Sequence, residues 1–290
     1  MRPLLAALLL ATLPLAAVEP VRTEDVIYGR KFGTALTMDV FEPAQKNGAT
    51  VIMVISGGFY SSKEAVNPGL ARRFTDRGYT VFAVVHGSQP RYVIPEIQQD
   101  LHRSVRFIRH HAARWGVDPQ KFGVTGGSAG GHLSLVLATQ GGPGAADAKD
   151  PVDRGSSAVQ AAACFFPPTD FLNWGAAGDV QAGVGRVGRQ FVGAFGERSL
   201  SADTRPAFGR EISPLNFVTD KMAPALLIHG DADKLVPIYQ AEIFAAKAKA
   251  AGATCEVVVR PGKDHGWPGM EADLDVFADW FDRHLLGKAK

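Results

Sequence analysis

Seven short apolar runs, separated by longer segments of helical spacing, constrain this chain more than any other feature. They are TALTMDVF, TVIMVIS, YTVFAVV, KFGVTG, VQAAACFF, PALLIHG and TCEVVVR. From Thr50 onward the runs are β-branched and nearly continuous in apolar residues. A strand with one covered face alternates. A continuous run needs cover on both faces, which is the condition of a parallel sheet between two helical layers. The intervening segments supply those layers. Ile97, Leu101, Val105, Ile108 and Ala112 recur at helical spacing, with Arg103, Arg106, Arg109 and His110 on other faces. Met270, Leu274, Phe277, Phe281 and Leu285 do the same near the C-terminus. Strand alternating with helix predicts an α/β fold, a doubly wound, mostly parallel sheet with helices on both faces. A chain of 290 residues holds one large α/β domain or two small ones, and residues 18–290 read as a single domain.

Two stretches break the rhythm. The N-terminus, MRPLLAALLLATLPLAA, has a basic start, an apolar centre and small residues at its end. This is the layout of a secretory signal peptide over residues 1–17, too short for a comfortable membrane span. The expectation is an exported protein, secreted or periplasmic, with no stable membrane anchor after the leader is removed. The second stretch, residues 172–213, is rich in Gly, Ala, Arg and Ser, with weak periodicity around Phe191 and Phe195. It reads equally as a cap over a site and as a surface loop with one helix. The net charge is +2 and no Lys/Arg run appears, so no nucleic-acid partner is expected. Cys164 and Cys255 fall on core-like runs with one further strand between them, about 10 Å apart at ~4.8 Å per strand, too far for a disulfide. Two free buried thiols are expected.

The chemistry concentrates around Ser128. KFGVT reads as a strand and AGGHLSLVLAT as the start of a helix, so Gly126-Gly127-Ser128-Ala129-Gly130 fits G-x-S-x-G in the strand–turn–helix setting that motif requires. A serine on such a turn takes a strained backbone conformation, and only small residues two positions either side avoid clashing with it. The rival reading is a phosphate loop. A Walker loop fails for want of lysine, and a dinucleotide fingerprint survives only through Asp170 in FFPPTD. A nucleophilic serine needs a base. Of eight histidines, His86 and His265 end strand-like runs in loops. His265, between Gly262 and Gly266, is the better placed to reach over the turn. His132 reads as a packing residue, and His229 as a structural hydrogen-bonding group. LLIHGDADKLVP offers Asp231 and Asp233 as the orienting carboxylate. Asp233 lies further out along the loop and is preferred; Asp170 is the outsider. Gly57 and Gly58, at the end of TVIMVIS, can turn backbone N–H groups towards a substrate oxygen, and the Ala129 N–H adds a donor.

GGSAGGHL, LLIHGDADKLVP and DHGW, in that order and spacing, resemble the α/β-hydrolase esterase/lipase family. The nearest likeness is to its acetyl-xylan and feruloyl esterase-like branch. The likeness runs from about Val40 to the C-terminus, most specifically through IPEIQQDLHRSVRFIRHHAARWGVDPQKFGVTGGSAGG. It implies an α/β-hydrolase fold, a Ser128–Asp233–His265 triad, and carboxylic-ester hydrolysis without a metal or organic cofactor. The oxyanion donors expected on that reading are the N–H groups of Gly58, Phe59 and Ala129. Phe59, Tyr60 and Trp267 are candidates for an apolar pocket, with core packing the alternative for Phe59. One departure stands out. The family's loop usually reads His-Gly-Gly, whereas this chain has Ser56-Gly57-Gly58-Phe59 and lacks the bracing histidine. Export and the branch likeness together suggest a small-molecule or polysaccharide-linked ester as substrate. A prolyl-oligopeptidase-like serine peptidase shares HGDAD and DHG, but such enzymes usually carry a propeller domain for which this chain has no room. A non-catalytic hydrolase-fold binding protein is the other alternative, against which stand all three triad positions.

Overall fold

The computed structural model describes residues 19–289; the leader expected at residues 1–17 lies outside them. The strands are β1 (Val21–Lys31), β2 (Thr34–Glu42), β3 (Thr50–Ile55), β4 (Thr80–Val85), β5 (Phe122–Gly127), β6 (Ala161–Phe165), β7 (Ala225–Gly230) and β8 (Cys255–Arg260). The α-helices are α1 (Pro68–Thr75), α2 (Ile94–His110), α3 (Ala112–Trp115), α4 (Ala129–Gln140), α5 (Arg186–Gln190), α6 (Val192–Phe195), α7 (Arg205–Ile212), α8 (Tyr239–Ala250) and α9 (Leu274–Leu286). All eight strands form one sheet in the order β1-β2-β4-β3-β5-β6-β7-β8. β3 to β8 pair in parallel, while β1 with β2 and β2 with β4 are antiparallel.

The continuous apolar runs have the cover they required. Ile52 and Val54 of β3 join the core beneath α2, α4 and α8. Val51 and Met53, one residue out of phase, join the core beneath α1 and α9. The seven anticipated runs are β2 to β8. The strand that escaped notice is β1, whose sequence VRTEDVIYGRK is charged and whose exposed and covered positions do not alternate cleanly. It is an edge strand with register shifts after Thr23 and Ile27, so it carries little of the apolar signal. A two-residue turn joins it to β2, with both Phe32 (φ 45) and Gly33 (φ 76) in the left-handed region, as a hairpin of this hand demands.

Two further expectations need correction. β7 does lie between the cysteine-bearing strands and both thiols are free, but Cys255 is only partly covered, because β8 is the other edge of the sheet. Residues 172–213 hold not one helix but three short ones, α5, α6 and α7, and bury Trp174, Phe195 and Phe208 against the main core.

His86, at the end of β4, and His132, on α4, are both buried. Their Nδ1 atoms face the carbonyls of Gly87 (2.8 Å) and Pro168 (3.1 Å), so Nδ1–H donates and the rings are neutral. Burial pushes both pKa values down from 6.5 to about 4. Between those values the unfolded chain binds protons that the fold refuses, so stability is full above the unfolded pKa and declines as pH falls. The melting temperature is therefore expected to drop by several degrees, roughly, between about pH 7 and pH 4.5. In His132→Asn the decline should be shallower. Equal slopes by calorimetry would place the proton uptake elsewhere.

Candidate active site

β5, β7, β8 and β3 all end on the same edge of the sheet, and the site is assembled from the loops that follow them. After Gly127 the chain reverses directly into α4. Ser128 sits at the reversal with φ 54 and ψ −121, its N–H donating to the Phe165 carbonyl at 3.0 Å. This backbone region costs a non-glycine residue on the order of 1–3 kcal/mol, so the neighbours must over-determine it. A Cβ on Gly126 would lie 2.5 Å from the Gly130 carbonyl carbon, and one on Gly130 would lie 2.7 Å from the Val54 carbonyl oxygen. Both glycines are demanded by close backbone approach.

His265 reaches over from the loop after β8, between Gly262 (φ 68) and Gly266 (φ 90). Its Nε2 is 2.9 Å from Ser128 Oγ and its Nδ1 is 2.7 Å from Asp233 Oδ2. Asp233, in the loop after β7, is held rigidly. Its Oδ1 accepts the backbone N–H groups of Leu235 and Val236, each at 2.9 Å, which leaves Oδ2 for the imidazole. Burial by itself would raise the Asp233 carboxyl. Hydrogen bonds from His229, His265 and the Val236 N–H outweigh burial and hold it well below the usual carboxylate range. The carboxylate is therefore an anion that orients the Nδ1–H and leaves the Nε2 lone pair facing the serine. The Asp233 side chain is fully buried while that of His265 is 18% exposed, so solvent reaches the imidazole but not its anchor.

The other candidates lie apart from this chain of bonds. His86 faces its own loop at Gly87. Asp231 is exposed and accepts the Gly262 N–H, and Asp170 accepts the N–H of Leu172 and the side chain of Asn173. His229 donates Nε2–H to the Val236 carbonyl at 2.8 Å, the structural bond expected of it, and also stands 3.4 Å from Asp233 Oδ2. The sequence reading missed two supports. Asp264 Oδ1 accepts from the N–H groups of both Lys234 and His265, at 2.9 and 2.8 Å, and so ties the two loops together. The Phe166 ring lies 4.3 Å from the His265 ring, centre to centre. Asp264 precedes His265 in sequence and could have been weighed; nothing in FFPP announces that Phe166 will meet the imidazole.

Gly57 and Tyr60 pair across a two-residue turn, each donating its N–H to the other's carbonyl. Gly58 (φ 55) and Phe59 (φ 65) form its corner, both left-handed. The N–H groups of Gly58, Phe59 and Ala129 donate to no described residue. All three residues line the same small cavity as Ser128, of about 20 Å³. Phe171, Trp174, Val187 and Phe191 close it, three of them from residues 172–213. Phe59 is thus both pocket wall and packed core, edge-on to His132. Tyr60 is half-exposed and borders a separate apolar groove of about 390 Å³ that runs past Gly57 and Gly127 towards Met270 and Leu274. Trp267 does neither; it packs on Phe165 and Phe166 and donates to Asp273. A depression of about 580 Å³ beside Arg103 is polar, and its arginine is already paired with Asp150 and Asp153, so it offers no reacting group. Among the described residues no cluster of His, Cys, Asp or Glu is placed to hold a metal, and no helix is long and apolar enough to cross a membrane.

A family model described as BD-FAE matches residues 38–248. The chain is 27% identical over 257 residues to Esterase LipQ of Mycobacterium tuberculosis, covering 85% of this chain and 57% of that protein. It therefore spans little more than half the length of that relative. It is 25% identical over 297 residues to ethyl acetate hydrolase of Pseudomonas putida, covering 93% of this chain and 85% of that one. Among solved structures it is similar to a truncated carbohydrate esterase from gut microbiota, with a TM-score of 0.77 at 23% identity, over 94% of this chain and 99% of that one. The doubly wound sheet is thus an α/β-hydrolase fold.

The close approach at Gly126 makes a direct test of the turn. Gly126→Ala is expected to cost roughly 1–3 kcal/mol, the range for overpacking, seen as a lower urea midpoint. A variant as stable as the parent would show that the reversal tolerates a Cβ there.

Proposed function

As the chain belongs to the BD-FAE family, we propose that it is a serine esterase that hydrolyses carboxylic esters of short acyl groups. One observation carries the reading: three loops from separate strands bring Ser128 Oγ, His265 Nε2 and Asp233 Oδ2 into one chain of hydrogen bonds, at 2.9 and 2.7 Å. A positive-φ serine facing an imidazole whose carboxylate anchor is buried is the arrangement that nucleophile activation calls for. In the mechanism, His265 Nε2 takes the proton of Ser128 as its oxygen attacks the ester carbonyl. Asp233 stays ionised, fixes the tautomer and stabilises the imidazolium. The N–H groups of Gly58, Phe59 and Ala129 receive the oxyanion. His265 then protonates the departing alcohol, and the same base activates the water that releases the acid.

Cavity size supports the short acyl group. Some 20 Å³ beside Ser128 is room for about one water-sized group, which suits the methyl of an acetyl ester. Export of the mature chain after removal of residues 1–17, and acetylated plant polysaccharide or small aryl esters as substrates, belong to the same proposal. They draw on the leader-like N-terminus and on what the similar carbohydrate esterase is named for.

A series of p-nitrophenyl esters, beside acetylated xylan and peptide amides, tests the reading. Activity should fall steeply from acetyl to octanoyl. Ser128→Ala should abolish it, and Asp233→Asn should lower kcat by roughly ten-thousand-fold through the wrong imidazole tautomer. Full activity in Ser128→Ala, or cleavage of amides without esters, would refute the assignment.

A further inference from the structure

We infer that Gln89 is a positioning residue for the oxyanion site, holding the Gly58–Phe59 turn so that its N–H groups face Ser128. The inference rests on the proposed role of Ser128. Its starting point is a mechanical problem. Two successive left-handed residues, one of them the bulky Phe59, must be held open while their N–H groups stay free for a substrate oxygen. The residue that precedes the glycines does not hold them, since the Ser56 hydroxyl is buried without a partner among the described residues.

The loop after β4 does hold them. The Gln89 side-chain Nε2 donates to the Gly58 carbonyl at 2.5 Å, and the Gln89 backbone N–H donates to the Phe59 carbonyl at 3.2 Å. One residue thus anchors both corner carbonyls. A peptide unit is planar, so fixing its C=O fixes the direction of the N–H on its other end. The Gly58 carbonyl belongs to the same peptide unit as the Phe59 N–H, and the side-chain bond therefore sets the aim of that donor. Gln89 is itself immobilised, only 5% exposed. Its Oε1 lies so close to α6 that a Cβ on Gly193 would come within 2.8 Å of it. Phe191 also presses on the turn, leaving no room for a Cβ on Gly58, which would lie 2.4 Å from its ring. Residues 172–213 and Gln89 together clamp the turn, and the side-chain amide is the polar half of that clamp.

Gln89→Met tests this. It preserves side-chain length, burial and the backbone bond to Phe59, and removes the side-chain amide that donates to Gly58. kcat and KM for p-nitrophenyl acetate are measured on the whole protein beside the parent and Ser128→Ala, with competent sites counted by exhaustive fluorophosphonate titration. kcat per titrated site should fall roughly ten- to a hundredfold, short of the loss of a whole oxyanion donor, with KM within about twofold. A small boronic acid, whose tetrahedral adduct fills the oxyanion site, should bind more weakly by a similar factor. A kcat per site equal to the parent's, or a loss carried by KM alone, would overturn the inference while leaving the serine assignment intact. Activity surviving Ser128→Ala would overturn both. Should Gln89→Met give no titratable protein, Gln89→Leu loses the same donor without adding a charge and is read in the same way.

Discussion

The reversal at Ser128 is the constraint on which the rest of the molecule turns. The strand ends in the centre of the sheet and passes into a helix through one positive-φ residue, Ser128, with the backbone two residues before touching the backbone two residues after. Gly126 against Gly130, and Gly130 against the Val54 carbonyl, are those contacts. They fix α4 against β3 and β5 and lift Ser128 Oγ clear of the sheet edge. The first N–H of α4, like that of any helix, has no helical acceptor, so a donor stands directly beside the strained residue.

The polar part of the site is rigid because each of its two carboxylates makes more than one hydrogen bond. Asp233 spends one oxygen on its own loop and the other on His265. Asp264 binds the loops after β7 and β8 to one another. Burial opposes the charge on Asp233, and the donors that surround it win. The result is a fixed anion beneath a partly exposed imidazole, the arrangement in which an imidazole can accept a proton at little reorganisation cost. The apolar part is shaped by residues 172–213, which close the small cavity beside Ser128 through Trp174, Val187 and Phe191 and leave the larger groove on the far side of Gly57 open.

Residues near in sequence to a known motif were legible, and those brought in from elsewhere were not. Ser128, His265 and Asp233 each lie at the end of a strongly apolar run, flanked by glycines or turn residues, and those are local signals. β1 was missed because an edge strand needs little apolar surface. Gln89 carries no local mark at all; its significance exists only because the loop after β4 passes under the turn after β3. The same is true of Phe166, whose contact with the imidazole depends on β6 lying beside both β5 and β7.

What the sequence determined by itself was the covered parallel sheet, the strained serine and the order of the three polar groups along the chain, because each depends on spacing within a few residues and on the chemistry of the side chains. What only the tertiary structure decided was which carboxylate meets which ring, how small the space beside the serine is, and what steadies the turn at Gly58. Those are distances between segments far apart along the chain, and distances of that kind are set by how the layers pack.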